Sequence, residues 1–139
     1  TGLRVSDILR LSWDNIRIGS DGGYVIQYRI KKTGAEETLP ISEETLEFCG
    51  ERSTGKIFKG LHYSIVGYNL KEWLEAAGID KHITFHCLRH TFASLQVIMG
   101  SPIYTVSKML GHKNVTTTQI YADLNDANKR KASELISLK

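Results

Sequence analysis

Between Asn15 and Pro40 the chain alternates apolar and polar residues and breaks twice at glycine. "NIRIGS" and "YVIQYRI" flank Asp21-Gly22-Gly23, and "KKTGAEETLPI" turns at Thr33–Gly34 into a third short run ending near Pro40. Alternation of period two is the mark of strands, with successive side chains on opposite faces. Asp-Gly between two such runs is a hairpin signal. The stretch therefore predicts a small three-stranded antiparallel sheet.

Around it the pattern is helical. A first helix is expected near the start, with Ser6 as its cap, Asp7 in its first turn, and Ile8, Leu9, Leu11 and Trp13 as apolar positions. After the sheet, "SEETLEFCG" predicts a short helix stopped by Gly50, and "HYSIVGYNLKEWLEAAG" a longer one stopped by Gly78. "TFHCLRHTFASLQVIMG" follows, capped by Thr84 and stopped by Gly100. "PIYTVSKMLG" has Pro102 in its first turn and stops at Gly111. "TTTQIYADL" and "DANKRKASELISL" predict a short helix and a final one. The fold class is α+β, mainly α-helical, in one domain without repeats or linkers.

Composition narrows the function classes. A hydrophobic fraction of 41% and a charged fraction of 24% over 139 residues are those of a globular protein with its own core. No apolar run is long enough to span a bilayer, and no signal peptide precedes the text. The chain opens on Thr1 and reads like the interior of a longer protein. Cys49 and Cys87 fit no metal or redox spacing, so a reduced, cytoplasmic compartment is expected. A net charge of +3 permits an anionic partner without demanding one.

Five places carry candidate chemistry. Arg4 precedes the first helix, and Asp7 follows three residues on. Lys32 sits at the end of a strand, beside the Thr33–Gly34 turn. "HCLRHTFAS" puts His86, Arg89 and His90 on one helix, and His82 extends a histidine ladder. His112 follows Leu110–Gly111. Tyr121 comes nine residues later. Singly, each has an ordinary explanation: a solvated arginine, an edge-strand lysine, a histidine favoured by a helix C-terminus, a core tyrosine. A zinc site on the ladder is disfavoured by the cationic Arg89 within it.

As a set they suit a phosphodiester. Guanidinium forks match phosphate oxygens, and cations are needed where phosphoryl charge spreads. A phenol can attack phosphorus, and a lysine or histidine can protonate the leaving oxygen. No carboxylate cluster suggests a two-metal site. Neither metal nor cofactor is expected.

These segments resemble the catalytic domain of the tyrosine recombinases, the phage-integrase family. "TGLRVSDILRLSW" is similar to the segment carrying the family's first arginine, and "KKTG" before "TLPIS" to its β-hairpin lysine motif. "HCLRHTFAS" matches the H-x-x-R box, and "LGHKNVTTTQIY" the last box. The likeness runs from Thr1 to about Leu124. It implies Arg4, Lys32, His86, Arg89, His112 and Tyr121 as the catalytic set, with Asp7 and His90 in support. It points to Lys32 rather than Lys31. It implies that Leu110–Gly111 turns His112 toward the phosphate and that Thr116 to Thr118 cap the helix bearing Tyr121.

By the same resemblance the expected activity is site-specific DNA recombination through a 3′-phosphotyrosyl intermediate, as in integrases of mobile elements. The expected partners are double-stranded DNA and a homotetramer assembled on it, with a monomer or weak dimer in its absence. The chain would be the catalytic domain without the opening helices and the N-terminal DNA-clamping domain. The segment after Tyr121, capped at Asn125 or Asp126 and with Ala132, Leu135, Ile136 and Leu138 on one stripe, would dock on a neighbouring protomer. Two alternatives are a type IB topoisomerase, which relaxes DNA by the same chemistry, and a catalytically silent DNA-binding regulator on the same fold.

Overall fold

The computed structural model describes residues 1–124 together with residues 133 and 134. Of the helix expected at the C-terminal end only Ser133 and Glu134 are described, both helical; its cap and its apolar stripe lie outside the described residues. The chain forms two compact units: Leu3–Arg89 with Thr1, and the residues from His90 onward with Gly2. The fold class is α+β.

The first unit is built on the sheet. Strands β1 (Ile16–Ile18), β2 (Tyr24–Arg29) and β3 (Glu36–Ile41) pair antiparallel in the order β1-β2-β3. Register follows from the hydrophobic pattern, since a slip of one residue would turn every side chain to the other face. Ile16 stands opposite Ile26, and Ile26 opposite Leu39, giving one buried apolar row across all three strands. Each such side chain contributes about 1.5–3 kcal/mol on burial. Tyr28 lies on the same face as Ile26 and pairs with Glu37. Both predicted turns form. At the first, Gly19 N–H donates to Gly23 O, and at the second Gly34 N–H donates to Ile30 O.

Strand β2 ends at Arg29, so Lys31 and Lys32 lie within the hairpin loop and not on a strand. Strand alternation therefore does not set their direction. Both are exposed.

The opening helix is shorter than its apolar spacing suggests. α1 covers only Val5–Ile8. Leu11 and Trp13 lie beyond it because their backbone groups have other partners: Ile57 N–H donates to Leu11 O, and Trp13 N–H to Gly55 O. Ser6 does not cap α1. The cap position is Arg4, in extended backbone, and its carbonyl accepts from Asp7 and Ile8 N–H. A 3-10 turn at Trp13–Asn15 leads into β1.

The expected helices follow. α2 (Glu43–Glu47) is capped by Ser42, whose side chain accepts from Thr45 N–H. α3 covers Tyr63–Ala76 and α4 covers Phe85–Ile98. Thr84 precedes α4, and its hydroxyl meets Cys87 Sγ at 3.5 Å. The division between the two units falls inside α4, between Arg89 and His90.

In the second unit, α5 (Ile103–Met109) starts one residue after Pro102. Two 3-10 turns, Val115–Thr117 and Gln119–Leu124, stand where a short helix was expected. Ala93, Val97, Val106, Leu110 and Tyr121 form the core, with Phe92 and Ile103 against it. Gly2 belongs to this packing. A Cβ there would come within 2.4 Å of Phe92 Cδ1, and its φ of +64° is one that glycine adopts without strain. Among the described residues, no helix is long and apolar enough to cross a membrane.

Candidate active site

In the first unit Arg4 and Asp7 stand at the start of α1, Lys32 in the loop between β2 and β3, and His86 and Arg89 on α4. Asp7 is 3% exposed, and its Oδ1 accepts the Lys31 N–H at 2.8 Å. The carboxylate three residues after Arg4 thus holds the backbone of the loop that carries Lys32. Its Oδ2 is buried without a hydrogen-bond partner among the described residues. A buried oxygen without a partner costs free energy and is uncommon in folded proteins. Arg89 is 6% exposed, so its charge is largely removed from water.

Tyr28 lies within electrostatic reach of Asp7, Arg4 and Arg89, and sequence reasoning did not single it out. Burial, then the carboxylates of Asp7 and Glu37, push its hydroxyl up to about 12, while Arg89 and Arg4 oppose the shift. Arg4 and Arg89 are 85 positions apart in the chain (89 minus 4), yet both act on one phenol. The signal available in the sequence was alternation, which places Tyr28 on the face of Ile26. His86 is exposed on α4 and Lys32 is exposed at the hairpin tip. A cavity of about 530 Å³ lies between α3 and residues 79–85, and none of Arg4, Asp7, Lys32 or Arg89 lines it.

The histidine ladder does not form as one helical row. α4 begins at Phe85, so His82 lies outside it.

In the second unit, Gly111 has φ +60°, a left-handed turn that ends α5. His112 follows, with its N–H donating to Ser107 O and its Nδ1 2.7 Å from Thr118 Oγ1. Thr118 is fully buried. The bond holds the imidazole by its Nδ1 side. Asn114 caps the turn at Val115–Thr117: its Oδ1 accepts from Thr116 N–H at 3.0 Å and from Thr116 Oγ1 at 2.8 Å. The turn bearing Tyr121 begins at Gln119, directly after Thr118, whose carbonyl accepts the Tyr121 N–H at 3.1 Å. Tyr121 is 7% exposed, and its hydroxyl is hydrogen bonded to His90 Nδ1. A pairing across 31 residues could not be read from local spacing.

The family model for the phage integrase family matches residues 1–128. Tyrosine recombinase XerA of Saccharolobus solfataricus is 34% identical over 129 residues, covering 89% of this chain and 42% of the relative. Tyrosine recombinase XerD of Lacticaseibacillus casei is 29% identical over 143 residues, covering 91% and 47%. The catalytic domain of bacteriophage HP1 integrase superposes with a TM-score of 0.77 at 25% identity, covering 99% of this chain and 77% of that one. The chain belongs to the phage integrase family, and it spans about half the length of these curated relatives.

Proposed function

We propose that this chain cleaves and rejoins duplex DNA as the catalytic part of a tyrosine-type site-specific recombinase. The observation that carries the reading is the hydroxyl of Tyr121 held against an imidazole, in a member of this family. In this reading Tyr121 attacks the scissile phosphate, forming a 3′-phosphotyrosyl ester and releasing a 5′-hydroxyl. Arg4 and Arg89 hold the non-bridging oxygens, and His112 donates from Nε2 to the same group. Lys32 protonates the leaving 5′-oxygen. His86 assists proton transfer, while Asp7 fixes the lysine loop. Attack by the 5′-hydroxyl of another strand reverses the step. The ester conserves the phosphodiester energy, so no nucleotide is consumed. A homotetramer on DNA would supply the strands to exchange.

A nicked duplex that loses its 5′-hydroxyl fragment after cleavage traps the covalent adduct. Wild-type chain should form it. Tyr121→Phe should bind the duplex and form none, because only the attacking oxygen is missing. An adduct of normal yield in Tyr121→Phe would refute the assignment. Strand exchange between two labelled duplexes, as opposed to relaxation alone, separates a recombinase from a type IB topoisomerase.

A further inference from the structure

The hydrogen bond between His90 and Tyr121 reaches the one oxygen that must lose a proton. We propose that His90 is the general base for the nucleophile, with Nδ1 accepting the Tyr121 hydroxyl proton as the oxygen attacks phosphorus. This rests on the reading of Tyr121 as the nucleophile and reassigns to His90 the proton transfer that the family resemblance suggested for His86.

Three features carry it. The contact joins ring nitrogen to hydroxyl, the geometry that a general base needs before any question of acidity. The phenol is fixed by its surroundings, because the Tyr121 ring packs in the core with Ala93, Val97, Val106 and Leu110. The base is within reach as well: His90, exposed, stands on α4 in the same unit as that core. The two rings meet at a tilted angle of 53°, with centroids 5.9 Å apart, so they touch through nitrogen and oxygen rather than by stacking. A phenol is a poor nucleophile at neutral pH, since its ordinary pKa is near 10.

The step balances without a further reactant. With its own proton on Nε2, the neutral imidazole takes the phenolic proton on Nδ1 and becomes imidazolium. The phenolate oxygen forms the new bond to phosphorus, and the bond from phosphorus to the 5′-oxygen breaks. That oxygen takes a proton from the general acid. In rejoining, the imidazolium returns its proton to Tyr121.

The test combines His90→Gln with a more acidic phenol at position 121. His90→Gln keeps a polar side chain that cannot serve as a base. On the nicked substrate it should slow single-turnover cleavage roughly 10²- to 10⁴-fold while DNA binding and melting temperature stay at wild-type values. Replacing Tyr121 by 3,5-difluorotyrosine lowers the need for a base. It should recover most of the loss in His90→Gln and little of that in Arg89→Lys. A loss below about threefold, or a loss that the fluorinated phenol does not reduce, overturns the proposal. If His90→Gln melts early, His90→Asn is judged by the same rescue. If the wild-type chain forms no adduct, the recombinase reading fails and takes this inference with it. An adduct in wild type without the rescue pattern removes the inference alone.

Discussion

At the scale of single residues, the loop geometry decides what Lys32 can do. Its backbone neighbour is held by Asp7 while its side chain stands in solvent, so it can reach a leaving group without being buried. Lys32→Ala should slow cleavage of an ordinary phosphodiester roughly 10²- to 10⁴-fold. A substrate with sulfur at the bridging 5′ position, whose leaving group needs little protonation, should restore Lys32→Ala far more than Arg89→Ala. Equal rescue of the two would move the role elsewhere. Tyr28 gives a second expectation. A hydroxyl pushed up to about 12 in the fold, against an ordinary value near 10, keeps its proton longer folded than unfolded. The folded state then binds more protons between those values, and stability falls as pH rises through them. Urea midpoints should decline between pH 10 and 12 in wild type and decline less in Tyr28→Phe. The family likeness was legible because each motif segment is a short local pattern. Tyr28 and the partner of His90 were not, because their neighbours come from distant parts of the chain.

At the scale of elements, punctuation by glycine was the most readable signal. Turns at Asp21-Gly22-Gly23 and Thr33–Gly34, and helix stops at Gly50, Gly78, Gly100 and Gly111, all fall where expected. Caps were less readable. A side chain can cap only if its neighbours take helical backbone, and that depends on what the backbone binds elsewhere. So Leu11 and Trp13 pair with Ile57 and Gly55 in place of continuing α1, and Ser6 falls inside the helix. The expected single helix is instead two short turns, and Asn114 caps the first of them, Val115–Thr117. Asn114→Ala should lower stability by about 1 kcal/mol, read from denaturant midpoints at unchanged slope. Asn114→Asp, which keeps the accepting oxygen, should recover most of it. It should also recover the cleavage rate if the turn positions the nucleophile.

At the scale of the whole molecule, the proposed chemistry runs on side-chain cations. In that proposal Arg4, Lys32, Arg89 and the imidazoles would supply the charge that a bound metal would otherwise bring to a phosphoryl group. Cleavage should therefore continue in excess EDTA at an unchanged single-turnover rate. Loss of activity on chelation, with recovery on adding zinc or magnesium, would require ligands beyond these residues. Binding should weaken as salt rises, since neutralised phosphates release counterions. A net charge of only +3 means that this attraction comes from where the cations are placed and not from their excess.

The bond from Asp7 to Lys31 is made to the main chain, and a carboxylate that grips a peptide N–H does not read the side chain attached to it. Position 31 is thereby left free to drift among amino acids as long as each brings that hydrogen. Proline alone lacks it. Related chains can thus be expected to disagree widely at this position, sharing only the exclusion of one residue.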